Sequence, residues 1–152
     1  MFYKGKIMTL KFIKLKSNAI VPTYGTPFAA GADLYALPDG DIKINPGETV
    51  LVHTGIALQI PDGYGGFIFA RSGIATKRGL APANKVGVID SDYRGEIMVS
   101  IYNQSAVTQT LASGERIAQF VIMPYVKADF LECELLDETE RSSRGFGSTG
   151  TI

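Results

Sequence analysis

The sequence contains one cysteine, Cys133, and one histidine, His53. A lone cysteine cannot close a disulfide within the chain, and the lack of a disulfide framework favours a reducing compartment, so a cytoplasmic protein is expected. One cysteine and one histidine also cannot supply the usual ligands of a zinc site. His53 lies in an apolar run and is interpreted as a packed strand histidine, and Cys133 is interpreted as a core residue.

Net charge is also absent, because 15 basic and 15 acidic residues cancel. A protein that binds a nucleic acid polymer needs a basic surface, so this class of partner is not expected. No stretch approaches the roughly 18 apolar residues of a membrane-spanning helix, and no membrane association is expected. Residues 1–8 have no apolar segment of a secretory signal and are interpreted as a loose extension. The sequence has no Gly-x-x-x-x-Gly-Lys-Ser/Thr motif, which excludes a P-loop.

Glycine and proline are frequent, with 17 and 7 residues, and they divide the chain into short runs of branched and aromatic residues. This pattern predicts an all-β sandwich or barrel, built as one domain over residues 1–152. The predicted strands fall within 10–15, 41–44, 49–53, 56–60, 65–70, 86–89, 96–102, 107–111, 117–122 and the acidic stretch 129–140. At most one short helix is expected, with Ser72 as its N-cap and Gly79 near its end.

Two local features combine small residues with charge. Asp33 lies among the small residues of 29–36, and on its own this pattern is typical of a tight turn that the aspartate caps. Arg71, Ser72 and Gly73 join a predicted strand to the predicted helix, where a guanidinium fork, a hydroxyl and an open backbone N–H suit phosphate oxygens. An N-cap beside a surface arginine explains the second feature equally well.

Two further features are richer in side chains that do chemistry. Residues 84–96 are interpreted as a hairpin whose tip carries Asp90, Asp92 and Tyr93, where a carboxylate can act as a base and an aromatic ring can stack. The segment 141–150 combines glycines, hydroxyls, two arginines and one aromatic, which suits a lid over a nucleoside polyphosphate. A disordered Gly/Ser tail is the alternative for that segment.

In this order, and together with residues 114–119, the four features resemble the five motifs of the trimeric dUTPases. The resemblance covers about residues 20–150, and its most specific parts are 87–95 (GVIDSDYRG) and 145–150 (GFGSTG). The chain departs from the usual family pattern at Ala70, where proline is usual, and at Ser142 and Arg144, where glycines are usual.

The resemblance implies a jelly-roll-like β fold that assembles as a homotrimer with active sites shared between subunits. Residues 142–152 would form a mobile C-terminal arm that crosses to a neighbouring subunit. The implied reaction is the hydrolysis of dUTP to dUMP and pyrophosphate with Mg²⁺, which removes dUTP and supplies the precursor of dTMP.

The resemblance also assigns roles to individual residues. Asp90 would activate the attacking water, and Asp33 would contact Mg²⁺ through water while substrate oxygens hold most of the metal. Tyr93 would lie under the deoxyribose, where a 2′-hydroxyl has no room, and Phe146 would stack on the uracil. The residues expected to hold phosphate oxygens are Arg71, Ser72, the Gly73 backbone, Gln119, Arg141, Ser148 and Thr149. The residues expected to line the uracil pocket are Asn84, Val88, Ile89 and Met98.

Two alternatives stay open at this point. A dCTP deaminase would share the fold, although residues 89–93 and 145–150 match dUTPases better. A trimeric nucleotide-binding protein with a regulatory role would keep the pocket and serve as an interaction scaffold, although intact Asp90, Tyr93 and Arg71 favour an enzyme.

Overall fold

The chain folds into short antiparallel strands and one helix. The computed structural model describes residues 8–139 and Ser143, and within them it contains twelve strands and a single helix. The strands are β1 Lys11–Lys14, β2 Thr23–Tyr24, β3 Ala32–Tyr35, β4 Ile42–Ile44, β5 Thr49–His53, β6 Ile56–Gln59, β7 Tyr64–Phe69, β8 Leu80–Pro82, β9 Gly87–Ile89, β10 Met98–Asn103, β11 Gln109–Leu111 and β12 Arg116–Pro124. The helix, α1, spans Ser72–Arg78. The predicted all-β class with one short helix is therefore confirmed.

The strands form two larger sheets and two strand pairs. The larger sheets have the orders β2-β3-β12-β7-β9 and β5-β10-β8, and the pairs are β1-β6 and β4-β11. All of the pairings are antiparallel. The long strand β12 lies at the centre of the five-stranded sheet, between β3 and β7, so residues far apart in sequence become neighbours around it.

One cluster of apolar side chains joins these sheets. Strand β10 shows why its sequence forms a strand, since Val99, Ile101 and Asn103 are buried while the residues between them are partly exposed. The buried Asn103 is satisfied, because its Nδ2 donates to the carbonyl oxygens of Ile44 at 2.8 Å and Val107 at 2.9 Å. The main buried side chains of the cluster are Leu34, Ile44, Val52, Ile56, Leu58, Ile68, Leu80, Ile97, Val99, Ile101, Leu111, Ile117 and Phe120.

Helix α1 begins and ends almost where the sequence indicates. Gly79 is the C-cap with φ of 66°, the left-handed conformation that glycine adopts without strain, and its N–H bonds the carbonyls of Ile74 and Ala75. The N-cap is Arg71, and no side chain caps this end. The prediction that Ser72 is the N-cap is therefore wrong by one residue, because Ser72 already has helical backbone geometry.

The predicted hairpin over residues 84–96 is also wrong. Strand β9 pairs with β7, whereas β10 pairs with β5 and β8 in the other larger sheet. The segment between Ile89 and Met98 is therefore a connection that crosses from one sheet to the other. We call residues 90–97 the crossing loop.

The acidic stretch does not form the expected strand within the residues the structure describes. Residues 125–139 have no regular secondary structure, and Phe130 and Leu131 are 94% and 91% exposed. Cys133 lies in this stretch and is exposed, so its interpretation as a core residue is wrong. Alternating side chains fit a strand, but a strand also needs a partner edge, and no described strand pairs with this stretch. His53 does lie in a strand, β5, but its side chain is 55% exposed rather than packed.

The other sequence-based expectations at the termini lie outside the described residues. They concern the extension before residue 8 and the C-terminal arm 142–152, of which only Ser143 is described. In the part of the chain that is described, no helix is both long enough and apolar enough to cross a membrane.

Candidate active site

Asp90 follows β9 directly, at the start of the crossing loop. Its carboxylate is exposed, and among the described residues it has no hydrogen-bond or ion-pair partner. A cavity of about 590 Å³ opens beside it, and Phe67, Val88, Tyr125 and Lys127 line the same space. An unpartnered carboxylate beside a cavity is free to accept a proton from a bound water or ligand.

Two aromatic residues and a lysine of this cavity escaped the sequence analysis. Phe67 is paired with Val88 across β7 and β9, which places it at the cavity, and Tyr125 and Lys127 follow the end of β12. Nothing in their spacing distinguishes them from ordinary strand residues. Only the sheet order brings them beside Asp90.

The turn between β8 and β9 carries Asn84. Its side-chain amide nitrogen lies 3.5 Å from the position that a Cβ would take on Gly87, and the Cβ of Ile68 would be 3.2 Å from that position. A side chain at residue 87 would therefore crowd Ile68 and reach ordinary contact with Asn84. Of the next two residues, Val88 is exposed and Ile89 is partly buried. The structure thus places the Asn84 side chain beside Gly87, the first residue of β9.

Tyr93 is held tightly inside the crossing loop. Its hydroxyl donates to the carbonyl oxygen of Glu96 at 2.9 Å, and its ring covers Gly95 so closely that a Cβ there would lie 2.4 Å from the hydroxyl oxygen. On the other side, Nη1 of Arg94 donates to the carbonyl oxygens of Ser91 at 2.6 Å and Tyr93 at 2.9 Å. The ring, 40% exposed as a residue, is therefore fixed in one orientation.

The carboxylate of Glu96 at the end of this loop is bonded to the β5–β6 turn. Its Oε2 lies 2.8 Å from Nδ1 of His53, and its Oε1 accepts the Gly55 N–H at 2.7 Å. Burial raises the pKa of Glu96, but the hydrogen bonds from His53 and Gly55 and the nearby His53 charge lower it by more, so the net pKa lies below its ordinary value. Sequence reasoning missed this contact because His53 and Glu96 are distant in the chain.

A second polar group lies on β3, β12 and the end of β7. Asp33 is buried, and its Oδ1 accepts from Nε of Arg71 at 2.6 Å while its Oδ2 accepts from Nη1 of Arg116 at 3.2 Å. Gln119 pairs with Asp33 across β3 and β12, and its Nε2 donates to the carbonyl oxygen of Ala70 at 2.9 Å. Two predicted phosphate-site residues, Arg71 and Gln119, thus lie beside Asp33, the predicted metal contact, and Arg116 is an unpredicted fourth member.

Glycines leave open space around this second group. A Cβ on Gly31 would lie 2.7 Å from Oε1 of Gln119, so a larger residue there would shift that amide. A Cβ on Gly73 would meet nothing within 4 Å. The first turn of α1, with Ser72 and the Gly73 backbone, is therefore accessible beside Arg71.

The two polar groups lie towards opposite ends of β7. Ile89 is opposite Gly66, so Asp90 continues towards Gly65, whereas Gln119 is opposite Phe69. Gly65 and Phe69 are four residue steps apart along the strand, which is about 13 Å. One chain therefore does not bring Asp90 and the Arg71 group to the same end of the strand.

The remaining predicted site residues are Met98 and four residues of the C-terminal segment. Met98 begins β10, is partly buried and pairs with His53 across the sheet. The four expected ligand residues of the C-terminal segment lie outside the described residues; they are Arg141, Phe146, Ser148 and Thr149.

A family model described as dUTPase matches residues 17–150. The chain belongs to the dUTPase family. It is 52% identical over 142 residues to the deoxyuridine 5′-triphosphate nucleotidohydrolase of Desulfitobacterium hafniense, with 93% of this chain and 94% of that protein covered. It is 47% identical over 145 residues to the enzyme of the same name from Syntrophotalea carbinolica, with 95% and 99% covered.

Solved dUTPase structures share the fold of this dUTPase. A Staphylococcus bacteriophage 80alpha dUTPase superposes with a TM-score of 0.84 at 28% identity, over 92% of this chain and 98% of that one. Another structure of the phage enzyme, described with dUpNHpp, gives a TM-score of 0.81 at 27% identity, over 93% and 98%. The dUTPase of phage phi11, described with a structural Mg(II) ion, matches in fold with a TM-score of 0.77 at 24% identity, over 86% and 100%. The expected dUTPase-type fold is therefore confirmed.

Proposed function

We propose that this dUTPase hydrolyses dUTP to dUMP and pyrophosphate through a water molecule that Asp90 orients and deprotonates. The water oxygen would bond to the α-phosphorus while the bond from that phosphorus to the pyrophosphate oxygen breaks. Asp90 would take the proton. The observation that carries this proposal is the Asp90 carboxylate itself, which is exposed beside a cavity of about 590 Å³ and has no partner among the described residues.

The Asp33 group supports a phosphate site. Two guanidinium groups, from Arg71 and Arg116, share the one Asp33 carboxylate, so the local charge stays positive. Arginine forks match phosphate oxygens well, and the accessible first turn of α1 adds backbone N–H groups. We infer that Arg71, Ser72, Gly73 and Gln119 bind the triphosphate, together with Arg141, Ser148 and Thr149.

The turn at Asn84 supports a uracil site. Uracil presents an acceptor, a donor and an acceptor along one edge, which the Asn84 side chain and the backbone near Val88 and Ile89 can match. Cytosine reverses two of these positions and would leave buried polar groups unpaired. Tyr93 would lie against the deoxyribose, Phe146 would stack on the base, and Met98 would line the same pocket.

The described residues fit Mg²⁺ only as an ion carried by the substrate. They contain no cluster of three or more His, Cys, Asp or Glu side chains able to hold a metal ion, and both Asp33 oxygens already accept from arginines. Such a donor set suits a hard cation held mainly by triphosphate oxygens, with Asp33 reaching it through water. When bound, Mg²⁺ would offset the charge of the triphosphate and hold it in one conformation.

We infer that the working unit is a homotrimer with shared sites. Asp90 and the Arg71 group lie towards opposite ends of β7, about 13 Å of strand apart, so a neighbouring subunit is needed to supply one of them to a common substrate. The crossing of residues 142–152 to a neighbour belongs to the same proposal. The cytoplasmic location expected from the sequence stays a prediction.

Exposed apolar side chains support this assembly. We call residues 125–139 the arm, which is distinct from the C-terminal arm of residues 142–152. Five bulky side chains of the arm are 86–95% exposed, namely Val126, Phe130, Leu131, Leu135 and Leu136. Soluble monomers rarely expose so much apolar surface in one segment. Beside β1 lies a groove of about 610 Å³ whose apolar lining includes Leu10, Phe12, Ile13 and Leu58. We propose that it receives the arm of a second copy, since the lysines of β1 complement the acidic residues of the arm.

The test of the activity is pyrophosphate release from dUTP compared with dTTP, dCTP and UTP. We expect dUTP to react at least about a hundredfold faster than each of the others. Similar rates with all four nucleotides would contradict the proposed base and sugar recognition. Ammonia release from dCTP would instead identify a deaminase of the same fold.

A further inference from the structure

Glu96 connects the crossing loop to the turn between β5 and β6. Its carboxylate is bonded through both oxygens, to His53 Nδ1 at 2.8 Å and to the Gly55 N–H at 2.7 Å. Its own carbonyl oxygen accepts the Tyr93 hydroxyl at 2.9 Å. One residue therefore links two hydrogen bonds, to His53 and Gly55, to the orientation of the Tyr93 ring.

The next residue in the chain is anchored by other means. Thr54 Oγ1 donates to the carbonyl oxygen of Ile97 at 2.6 Å, the Ile97 N–H donates to the carbonyl oxygen of Ile56 at 2.8 Å, and Ile97 is fully buried. These bonds do not involve the Glu96 carboxylate. Loss of that carboxylate should therefore leave β10 in place and act on the residues just before it.

Tyr93 depends on the residues that follow it. Its hydroxyl is already bonded to the Glu96 carbonyl, so the face of the ring, and not the hydroxyl, is left to meet a ligand. The ring also rests on Gly95, where a Cβ would collide with it. A shift of the Glu96 peptide would consequently move both the carbonyl oxygen that accepts the Tyr93 hydroxyl and the neighbouring Gly95, against which the ring lies.

We propose that Glu96 and His53 are positioning residues that fix the Tyr93 ring and thereby set the preference for deoxyribose over ribose. The inference rests on the proposed function, in which Tyr93 lies against the sugar. Neither Glu96 nor His53 contacts the substrate in this view. The hydrogen bond between their side chains holds the Glu96 peptide, the peptide holds the Tyr93 hydroxyl, and the fixed ring occupies the space that a 2′-hydroxyl would need.

The experiment is a double-mutant cycle read out as sugar discrimination, the ratio of kcat/KM for dUTP to kcat/KM for UTP. Glu96→Ala, His53→Ala and Tyr93→Phe should each lower this ratio, the first by about tenfold or more. Glu96→Ala and Tyr93→Phe break the same chain of contacts. The double variant should therefore lose no more of the dUTP-to-UTP ratio than the worse single variant. A loss of folding alone would lower both rates and leave the ratio unchanged. If Glu96→Ala does not fold, Glu96→Gln serves instead, because its amide oxygen can still accept the Gly55 N–H.

Glu48→Ala is the matched control. Its exposed carboxylate accepts the Asn45 N–H at 2.8 Å next to Thr49, at the opposite end of β5 from His53, and its loss should leave the ratio unchanged. The inference would be overturned if the losses of the two single variants multiplied in the double variant, or if Glu96→Ala left the dUTP-to-UTP ratio unchanged. The variant Tyr93→Ala distinguishes a failure of this inference from a failure of the proposed function. If Tyr93→Ala also leaves the ratio unchanged, the sugar contact of Tyr93 is wrong and the inference fails with it; if Tyr93→Ala lowers the ratio and Glu96→Ala does not, only the inference fails.

Discussion

Asp33 accepts a 2.6 Å hydrogen bond from Nε of Arg71, a residue 38 positions further along the chain. The same carboxylate accepts a 3.2 Å bond from Arg116, and Nη1 of Arg71 also reaches the Arg116 carbonyl oxygen at 3.4 Å. The three side chains thus form one bonded unit on the surface where β3, β12 and the start of α1 meet. Within this unit the Asp33 carboxylate orients the two guanidinium groups, and the unit carries a net positive charge.

Asp33→Asn tests this unit. The amide keeps the shape but leaves Arg71 and Arg116 without a counter-charge, so we expect the free energy of unfolding to fall by about 1–3 kcal/mol, because the pair is partly exposed. We also expect KM for dUTP to rise, since Arg71 loses its fixed orientation. Urea unfolding and steady-state kinetics measure the two effects. Asp41→Asn, at an exposed aspartate with no ion pair to any described residue, should change neither, and equal effects of the two variants would contradict the role of the Asp33 unit.

Asp90→Asn should nearly abolish turnover while dUTP binding and folding persist. The carboxylate has no partner among the described residues, so its replacement should change the free energy of unfolding by less than about 0.5 kcal/mol. The amide is a far weaker base. Pyrophosphate release and dUTP titration calorimetry measure the two properties. Asp92→Asn, in the same cavity, is the control and should keep most of the rate. More than about a tenth of the wild-type rate in Asp90→Asn, a loss below ~1.4 kcal/mol, would exclude Asp90 as the base.

Gly95→Ala should harm activity more than stability. The new Cβ would lie 2.4 Å from the Tyr93 hydroxyl oxygen, so the ring must swing away from its bond to Glu96. We expect a loss of about 1–2 kcal/mol in stability and a fall of about tenfold or more in kcat/KM for dUTP. Gly40→Ala is the matched control, since its Cβ would meet nothing within 4 Å. Full activity in Gly95→Ala would show that the Tyr93 orientation does not matter.

Most strands of the core could be predicted from short runs of branched and aromatic residues, but β3 lies in a segment interpreted as a tight turn and β8 was not predicted. In β10 the alternation of buried and partly exposed residues is visible in the sequence itself. The pairing of β9 could not be predicted in the same way. The turn signals after Ile89 mark a change of direction, but they do not say which sheet edge receives the next strand, and here β9 stays with β7 while β10 joins β5.

The sequence indicated some members of the polar group around Asp33 and missed others. Arg71 was indicated by its place between a predicted strand and the predicted helix. The roles of Asp33 and Gln119 came from the resemblance, because the spacing of the three residues carries no sign that β12 brings them together. Arg116 and Glu96 were missed, since a charged residue at a strand end usually faces solvent. Their partners appear only when the three-dimensional contacts are known.

The pKa of Glu96 predicts one acid-sensitive contribution to stability. Burial raises that pKa, but the bonds from His53 and Gly55 lower it by more, so the folded value lies below the ordinary 4.5. Between those two values the unfolded chain binds more protons than the folded one. The contribution is therefore complete above 4.5 and is lost as the pH falls through the folded pKa. Denaturant unfolding between about pH 6 and pH 3 should show a smaller loss of stability in Glu96→Gln than in the wild type. Asp41→Asn should follow the wild type, and identical curves for Glu96→Gln and the wild type would contradict this coupling.

The arm gives the last prediction, a homotrimer in solution that depends on exposed side chains of residues 125–139. Leu131 and Leu135 are 91% and 87% exposed, so they add almost nothing to the packing of their own chain. Leu131→Asp/Leu135→Asp should leave the fold intact by circular dichroism yet prevent docking of the arm. Light scattering should then show the wild type as a trimer and the variant as a smaller species. Turnover of dUTP should fall with it, because Asp90 and Arg71 would no longer meet across subunits. Val107→Asp places the same charge on another exposed apolar side chain, 60% exposed, and should stay trimeric and active. An active wild-type monomer at micromolar concentration would overturn the shared site, and a trimeric, active arm variant would show that the contact lies elsewhere.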